Sequence, residues 1–313
     1  MLTVAALVLL LGTFMPLRAF AEGAVLPAPA VAFENPGASV ADYLACLRAA
    51  DIMLVSGHRG GPVPGFPENA LETFANTLAH GPMLIETDVR MTRDGVLILL
   101  HDETLERTTT GSGLVADAPW AEIKALSLVD DEGEVTAFRV PTLTEALAWA
   151  RGRAILQLDV KSGAPIDKVA AAVSAAGAHG FAAVIAYTVQ DAVRAAAVDP
   201  HLTLSVEILD RQSLDDLIGA GLDAARLMAW TGIETERPAL WAGLNGRGIS
   251  AAWGSLWYLD EEVRRSGDRS AFVRLAKGQL DVLSSDLHID AYNAAETVQD
   301  TTRAVKGCND KGL

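Results

Sequence analysis

No block of lysine or arginine stands out in the sequence. The 25 basic residues are outnumbered by 40 acidic ones, and the formal net charge is −15. Binding to nucleic acid or to an anionic membrane surface depends on concentrated positive charge. The composition therefore argues against both kinds of partner, and it is compatible with a site that holds a divalent cation.

Long apolar segments are nearly absent as well. Leu2–Met15 is almost entirely apolar but too short to span a membrane comfortably. Ala19-Phe20-Ala21 then supplies the small residues of a signal-peptide cleavage site, although no basic residue precedes Arg18. We therefore predict a signal peptide over residues 1–21 and a secreted or periplasmic protein with no stable membrane anchor; an uncleaved N-terminal anchor is the alternative. Residues 22–50 are predicted to form an N-terminal leader.

A GxGxxG motif is missing after the first predicted strand, which disfavours a dinucleotide-binding open sheet. Short β-rich segments instead alternate with helical ones. The candidate strands are 52–57, 83–89, 96–100, 154–160, 182–187, 202–207, 225–229, 248–252 and 280–285. The candidate helices are 70–80, 142–151, 166–178, 189–197, 212–220, 236–243, 260–276 and 291–305. This alternation predicts an α/β fold, a TIM-type (β/α)₈ barrel over residues 51–306, with a doubly wound open sheet as the competing architecture.

The barrel is expected to be irregular near its second and third strands. The strand that ends near Val89 and the one that starts at Val96 are too close for a parallel crossover. Asp94-Gly95 between them is a strong signal for a hairpin turn. If the two strands pair across this turn, Glu86 falls near His101.

Only two cysteines are present, Cys46 and Cys308, and they lie near the two ends of the exported chain. Export would expose them to an oxidising compartment, and a barrel brings its chain ends together. A disulfide that closes the barrel and two unpaired buried thiols are both consistent with the sequence.

Polar residues collect at the carboxyl ends of the predicted strands, where barrels carry their active sites. They are His58, Arg59, Glu86, Asp88, His101, Asp102, Gln157, Asp159, Lys161 and Asp286. Glu86 and Asp88 are two residues apart, so they point to the same side of a strand, and Asp159 adds a third carboxylate. Three hard oxygen ligands suit one Ca²⁺ or Mg²⁺ better than Zn²⁺. A solvated strand edge is the alternative, which the apolar residues 83–85 disfavour.

The remaining polar residues suggest acid–base chemistry on a phosphate. His58 and His101 can divide the work of a general base and a general acid near neutral pH. Arg59 and Lys161 are predicted to hold the phosphate and offset charge that builds on it, or else only to neutralise the carboxylates. Trp253 is a candidate substrate contact, because aromatic rings favour cations, and ordinary core packing is its alternative role.

Several short motifs follow one another in a specific order. They are His58-Arg59-Gly60, Pro67-Glu68-Asn69, Glu86-Thr87-Asp88, Thr92-Arg93-Asp94-Gly95, His101-Asp102 and Leu105-Glu106-Arg107-Thr108-Thr109. Together they strongly resemble the glycerophosphodiester phosphodiesterase family, over most of residues 53–290 and most densely over 57–161.

The resemblance implies a TIM barrel with one divalent cation, Ca²⁺ or Mg²⁺. It places the metal ligands at Glu86, Asp88 and Asp159, the catalytic pair at His58 and His101, and phosphate contacts at Arg59 and Lys161. The family usually has Glu at the position of Asp159, which implies a deeper metal or an additional water. Ser285-Asp286 departs from the usual Thr-Asp and is interpreted as structural.

The implied activity is metal-dependent hydrolysis of a small glycerophosphodiester to glycerol 3-phosphate and an alcohol. The two histidines are expected to act as general acid and general base. Two alternatives remain open from the sequence. One is a phosphodiesterase on the same barrel that acts on intact phospholipid, and the other is a non-catalytic periplasmic protein that binds phosphodiesters.

Overall fold

The structure is a computed structural model that describes residues 29–34, 37 and 39–311. The predicted signal peptide and the first part of the leader lie outside the described residues. Within them, no helix is both long enough and apolar enough to cross a bilayer.

Eight parallel strands form a closed barrel. The strands of the described chain are β1 Leu54–Gly57, β2 Leu84–Met91, β3 Leu97–Leu99, β4 Ser127–Val129, β5 Val135–Arg139, β6 Leu156–Val160, β7 Ala182–Ala186, β8 Thr203–Glu207, β9 Leu227–Trp230, β10 Ser250–Gly254 and β11 Val282–Ser285. β1 pairs in parallel with both β11 and β2, which closes the ring β1-β2-β6-β7-β8-β9-β10-β11. The predicted (β/α)₈ barrel is therefore confirmed, and the open-sheet alternative is wrong because that sheet would have two free edges.

Helices surround the barrel. They are α1 Val40–Arg48, α2 Leu71–His80, α3 Trp120–Ile123, α4 Leu143–Ala150, α5 Ile166–Ala175, α6 Val189–Val198, α7 Arg211–Gly219, α8 Pro238–Asn245, α9 Leu259–Ser266, α10 Ser270–Ala276, α11 His288–Ala295 and α12 Thr301–Asn309. The single helix predicted over 260–276 is in fact two, since α9 ends at Ser266 and is followed by Gly267, whose φ of 72° is left-handed. The helix predicted over 291–305 is also two, because Asp300 caps a new helix.

Local sequence explains why the outer helices begin where they do. Thr142 and Glu145 form a reciprocal capping box at the start of α4. Thr188 accepts a hydrogen bond from the backbone of Asp191 at the start of α6. Such caps satisfy backbone N–H groups that a helix leaves free, and each typically contributes about 1 kcal/mol. The strands need no alternation of polar and apolar residues, because helices cover one face and the barrel core the other.

The expected irregularity is an antiparallel hairpin between β2 and β3. Val89 pairs with Leu99, and the turn between the strands has Gly95 at a φ of 84°. The Leu100 N–H donates to the Asp88 carbonyl over 3.1 Å. His101 therefore leaves the hairpin beside the acidic end of β2, where its charge acts on Asp88.

The chain between β3 and α4 folds as a small unit of its own, which we call the insertion (residues 104–141). It contains β4 and β5, a two-stranded antiparallel sheet that was not predicted. A second apolar cluster holds it on the barrel, and the members from the insertion include Leu105, Val115, Ile123, Leu128 and Phe138. The insertion therefore has its own small core beside the carboxyl ends of β2 and β3.

The opposite end of the barrel is covered by α1. The Ala41 N–H donates to Thr203 Oγ1 at the start of β8, and Arg48 donates to Ser250 Oγ at the start of β10. Cys46 of α1 and Cys308 of α12 form a disulfide. The first of the two alternatives for these cysteines is therefore the correct one, and the bond joins the first and last helices of the described chain.

Candidate active site

Three buried carboxylates meet at the carboxyl ends of two adjacent strands. Glu86 and Asp88 lie on β2, and the strand register places Asp88 directly opposite Asp159 of β6. One oxygen of each side chain lies within 4.8 Å of those of the other two. None of the three residues is more than 8% exposed. The predicted triad is thus brought together by the period-two spacing in β2 and by the pairing of β2 with β6.

Each carboxylate accepts at least one hydrogen bond, and two of the three keep an oxygen without a partner among the described residues. Glu86 Oε2 accepts from the Arg59 backbone N–H over 2.6 Å, and Asp88 Oδ2 accepts from Asn69 Nδ2 over 2.8 Å. The Tyr187 hydroxyl donates to Asp159 Oδ2 over 2.7 Å. Glu86 Oε1 and Asp159 Oδ1 are buried without a hydrogen-bond partner among the described residues. A buried, unpartnered carboxylate oxygen is costly, and a bound cation would relieve that cost.

The electrostatics of the triad also favour a cation. Burial and the neighbouring charge of Asp88 raise the pKa of Glu86 to about 8. Burial alone would raise the pKa of Asp88 too, but the ammonium of Lys161 and the bond from Asn69 outweigh it, and the net shift is downward. The acids are therefore crowded enough to repel one another, which is the condition that a divalent cation relieves.

Lys161 lies between two of the acids. Its Nζ is 2.9 Å from Asp88 Oδ1 and 2.6 Å from Asp159 Oδ2. Burial lowers the pKa of Lys161, but both carboxylates raise it by more, so the side chain stays charged. In this geometry Lys161 neutralises carboxylates, the second of the two roles considered for it, and its contact with phosphate stays a prediction.

The first histidine is oriented by an acid from the other end of the chain. His58 Nδ1 lies 2.8 Å from Asp286 Oδ1, at the end of β11. Burial lowers the pKa of His58, but the bond to Asp286 and the charge of Glu86 outweigh it, so the pKa is above the ordinary value. Asp286, interpreted from sequence as structural, is thus a direct partner of His58.

The second histidine is oriented by its own neighbour in sequence. His101 Nδ1 lies 2.7 Å from Asp102 Oδ1. Arg107 of the insertion donates to both oxygens of Asp102, over 2.6 and 2.8 Å, and these bonds hold the pKa of Asp102 well below its usual range. In both His–Asp pairs the carboxylate binds Nδ1, which leaves Nε2 for a reacting group.

Two arginines converge on one buried glutamate. Arg59 donates to Glu68 Oε2 over 3.0 Å, and Arg107 donates to both Glu68 oxygens, over 2.8 and 2.9 Å. These arginines, together with His58 and Trp257, line a cavity of about 250 Å³. Fixed guanidinium groups beside an imidazole suit an anion such as a phosphodiester.

Sequence reasoning assigned no role to several residues that the structure places here. Glu68 and Arg107 stood inside recognised motifs, so their position was signalled although their function was not. Tyr187 follows β7 directly. Its position as a polar residue at a strand end was the sequence signal that could have placed it in the site. Asp286 was noticed at a strand end, but nothing in its spacing pointed to His58.

The indole Nε1 of Trp253 has no hydrogen-bond partner among the described residues, so it holds none of the three carboxylates. Its side chain is 2% exposed, and its ring centroid lies 6.3 Å from that of Trp241 on α8. It also lines a separate cavity of about 470 Å³ together with Trp257 and Tyr258. Trp257, 61% exposed, lies beside one of the two histidines instead, with its ring centroid 6.4 Å from that of His58.

Comparison with known proteins points to one family. Residues 58–165 match the model of the glycerophosphoryl diester phosphodiesterase family. Among curated proteins, a glycerophosphodiester phosphodiesterase of Caldanaerobacter subterraneus subsp. tengcongensis is 40% identical over 112 residues, 35% of this chain and 46% of that protein. Glycerophosphodiester phosphodiesterase 1 of Mus musculus is 33% identical over 131 residues, 41% of this chain and 39% of the relative. The matches thus span less than half the length of these two relatives.

A solved structure extends the likeness across the barrel. The crystal structure of a glycerophosphoryl diester phosphodiesterase from Parabacteroides distasonis superposes with a TM-score of 0.76 and 31% identity. That alignment covers 83% of this chain and 93% of the other. The likeness is therefore not confined to residues 58–165 but extends over most of the chain.

Proposed function

Since the chain belongs to the glycerophosphoryl diester phosphodiesterase family, we propose that it hydrolyses glycerophosphodiesters to glycerol 3-phosphate and an alcohol. One observation carries the proposal: two His–Asp pairs accompany a buried triad of carboxylates that retains two unpartnered oxygens. A protein that only captured phosphodiesters would have little need of two oriented imidazoles, and this arrangement favours catalysis over the binding-protein alternative.

The triad fits one divalent cation. Glu86, Asp88 and Asp159 would hold it, and the all-oxygen donor set suits Ca²⁺ or Mg²⁺. When bound, such an ion polarises a phosphoryl oxygen and offsets the negative charge that develops during substitution at phosphorus. Lys161, already paired with Asp88 and Asp159, adds positive charge to the same region.

The chain's own residues supply binding and proton transfer. The guanidinium groups of Arg59 and Arg107 bind the phosphodiester anion and, fixed by Glu68, need little reorganisation. One histidine Nε2 takes a proton from the nucleophile, which is either water or the neighbouring glycerol hydroxyl. Attack by the hydroxyl would form a cyclic phosphodiester, which a water molecule would then have to open to give glycerol 3-phosphate. The other histidine gives a proton to the departing alkoxide, which is a poor leaving group without it.

The test is release of glycerol 3-phosphate from glycerophosphocholine and glycerophosphoethanolamine by purified protein, with Ca²⁺, with Mg²⁺ and with EDTA. Release that requires a cation supports the proposal. No release from either substrate under any condition, together with cleavage of intact phospholipid in vesicles, would replace it by the phospholipid-directed alternative.

Metal binding can be measured apart from catalysis. Calorimetric titration of Ca²⁺ or Mg²⁺ into metal-free protein should show one site, which Asp159→Asn weakens. Glu207→Gln is the matched control, because Glu207 is an exposed carboxylate at the end of β8. Equal binding by wild type and Asp159→Asn would remove Asp159 from the proposed ligand set.

We also propose that the protein is exported. The support is the apolar N-terminal segment with its cleavage pattern and the disulfide between Cys46 and Cys308, a bond that persists mainly in oxidising compartments. Fractionation of cells with an antibody against the mature chain tests this. Recovery of the full-length protein from the cytoplasm would contradict it.

A further inference from the structure

Asp260, in the first turn of α9, is a buried acid with no assigned role. It is 0% exposed, and no ion pair reaches it from the described residues. Burial raises its pKa. A buried carboxylate is expensive unless hydrogen bonds satisfy it, so the groups that bind Asp260 indicate what its position achieves.

Two of those hydrogen bonds come from one turn at the end of β11, and the side chain of Ser255, which follows β10, supplies another. Asp260 Oδ1 accepts from Ser285 Oγ over 2.9 Å, and Oδ2 accepts from the Asp286 backbone N–H over 2.7 Å. Ser285 Oγ in turn accepts from the Leu287 N–H over 2.9 Å. The backbone on both sides of Asp286 is therefore tied, directly or through Ser285, to one carboxylate of α9.

The same turn presents the Asp286 side chain to His58. The charged groups that face His58 are Asp286, Glu86 and Arg59, and Arg264 of α9 faces Asp286. Asp260 is not among these groups, and it forms no hydrogen bond or ion pair with His58 in the described part of the chain. The contact that links Asp260 to His58 is therefore the turn that carries Asp286.

We propose that Asp260 is a positioning residue, which orients His58 by fixing the turn that carries Asp286. Asp260 touches no substrate in this scheme. It keeps the Asp286 carboxylate within hydrogen-bond distance of Nδ1, so that Nε2 faces the reacting groups. The expected effect of Asp260 on turnover rests on the proposed function. The expected effect of Asp260 on the orientation of His58 does not depend on that function.

The experiment compares Asp260→Asn with a matched control at the other end of the same strand. Asn keeps the size of the side chain but has one acceptor oxygen in place of two, so its amide nitrogen either loses the bond from the Asp286 N–H or reverses the bond with Ser285 Oγ. Asp281→Asn is the control, because Asp281 is also buried, at 4% exposed, and its Oδ2 accepts from the Ala251 backbone N–H over 2.7 Å. Asp281 directly precedes β11, whereas Asp286 directly follows it.

The first readout is the titration of His58, followed by NMR of the imidazole protons and assigned with His58→Gln. Asp260→Asn should lower the pKa of His58 in the direction of the Asp286→Asn value, and Asp281→Asn should leave it unchanged. The second readout is kinetic: Asp260→Asn should lower kcat by about tenfold while KM changes little, as expected for partial loss of a positioned acid or base.

Loss of thermal stability in Asp260→Asn with an unchanged His58 titration would overturn the proposal, since a merely structural acid gives that result. If Asp260→Asn does not fold, Ser285→Ala removes one donor to Asp260 and should shift the His58 titration less, in the same direction. The NMR readout needs no turnover, so an inactive wild type would count against the proposed function and leave the positioning role testable.

Discussion

The two His–Asp pairs look alike at the imidazole but are built in opposite ways. His58 and Asp286 are 228 residues apart and meet only because β1 and β11 are neighbours in the closed barrel. His101 and Asp102 are adjacent in sequence, and their carboxylate is held from outside the barrel by Arg107 of the insertion. One pair is therefore fixed by the barrel and the other by the insertion. We expect that a substitution can disrupt one pair and leave the other intact.

The largest effect should come from removing either imidazole. His58→Ala and His101→Ala are each expected to lower kcat by about 10²–10⁴-fold, the usual contribution of a positioned general acid or base. Metal affinity should be nearly unchanged, because neither histidine belongs to the carboxylate triad. Steady-state kinetics combined with metal titration checks both points, and full activity in both variants would contradict the assignment of the two catalytic histidines.

Removing the carboxylate partner of each histidine should change the pH dependence of the reaction differently for the two pairs. The pKa of His58 is raised because Asp286 and Glu86 outweigh its burial. Asp286→Asn removes a negative charge that stabilises the imidazolium, so the pKa of His58 falls and its limb of the pH–rate profile moves to lower pH. We expect kcat at the optimum to fall by about 10–100-fold, less than when the imidazole itself is lost.

Asp102→Asn is the counterpart for the second pair. It should lower kcat without moving the limb of the pH–rate profile that Asp286→Asn moves, and it should leave the NMR titration of His58 unchanged. If both variants moved the same limb, the two histidines would not have the separate roles proposed for them.

Substitution of Arg107 tests whether the insertion affects only the His101–Asp102 pair. It binds Asp102 on one side and Glu68, the partner of Arg59, on the other. Arg107→Ala should therefore raise KM, through loss of a phosphate contact, and lower kcat several-fold, through a less ordered His101. The titration of His58 should not move. Arg274→Ala is a control, since Arg274 makes a comparable two-bond pair with Glu236.

The same contrast explains which parts could be read from the sequence. The meeting of the three carboxylates could be predicted because period-two spacing fixes which side of β2 Glu86 and Asp88 share. The pair of His101 and Asp102 was visible because its members are adjacent. The pairing of His58 with Asp286 could not be predicted in this way. It depends on which strand ends meet when the barrel closes, and spacing along the chain does not indicate which ends these are.

The missed elements have a related cause. β4 and β5 are only three and five residues long, too short for alternation to be distinguished from an irregular connection. They are stabilised by the second apolar cluster, which forms only when the insertion packs against residues such as Ile98 and Leu100. Tertiary packing therefore determines structure there, whereas the regular barrel elements carry their own signals.

The disulfide should affect activity least, because it lies at the end of the barrel away from both His–Asp pairs. It joins α1 to α12 across 262 residues of sequence, so its loss should cost about 2–5 kcal/mol of unfolding free energy. Dithiothreitol should lower Tm, while kcat at 25 °C stays within about twofold. A twofold change in kcat corresponds to much less than about 1.4 kcal/mol at the transition state, the amount that changes a rate tenfold. Cys46→Ala/Cys308→Ala, already without the bond, should show the lower Tm and no response to reductant. A large fall in kcat on reduction would mean that α1 and the active end of the barrel are coupled, and that the barrel is a less rigid support for His58 and Asp286 than its closed sheet suggests.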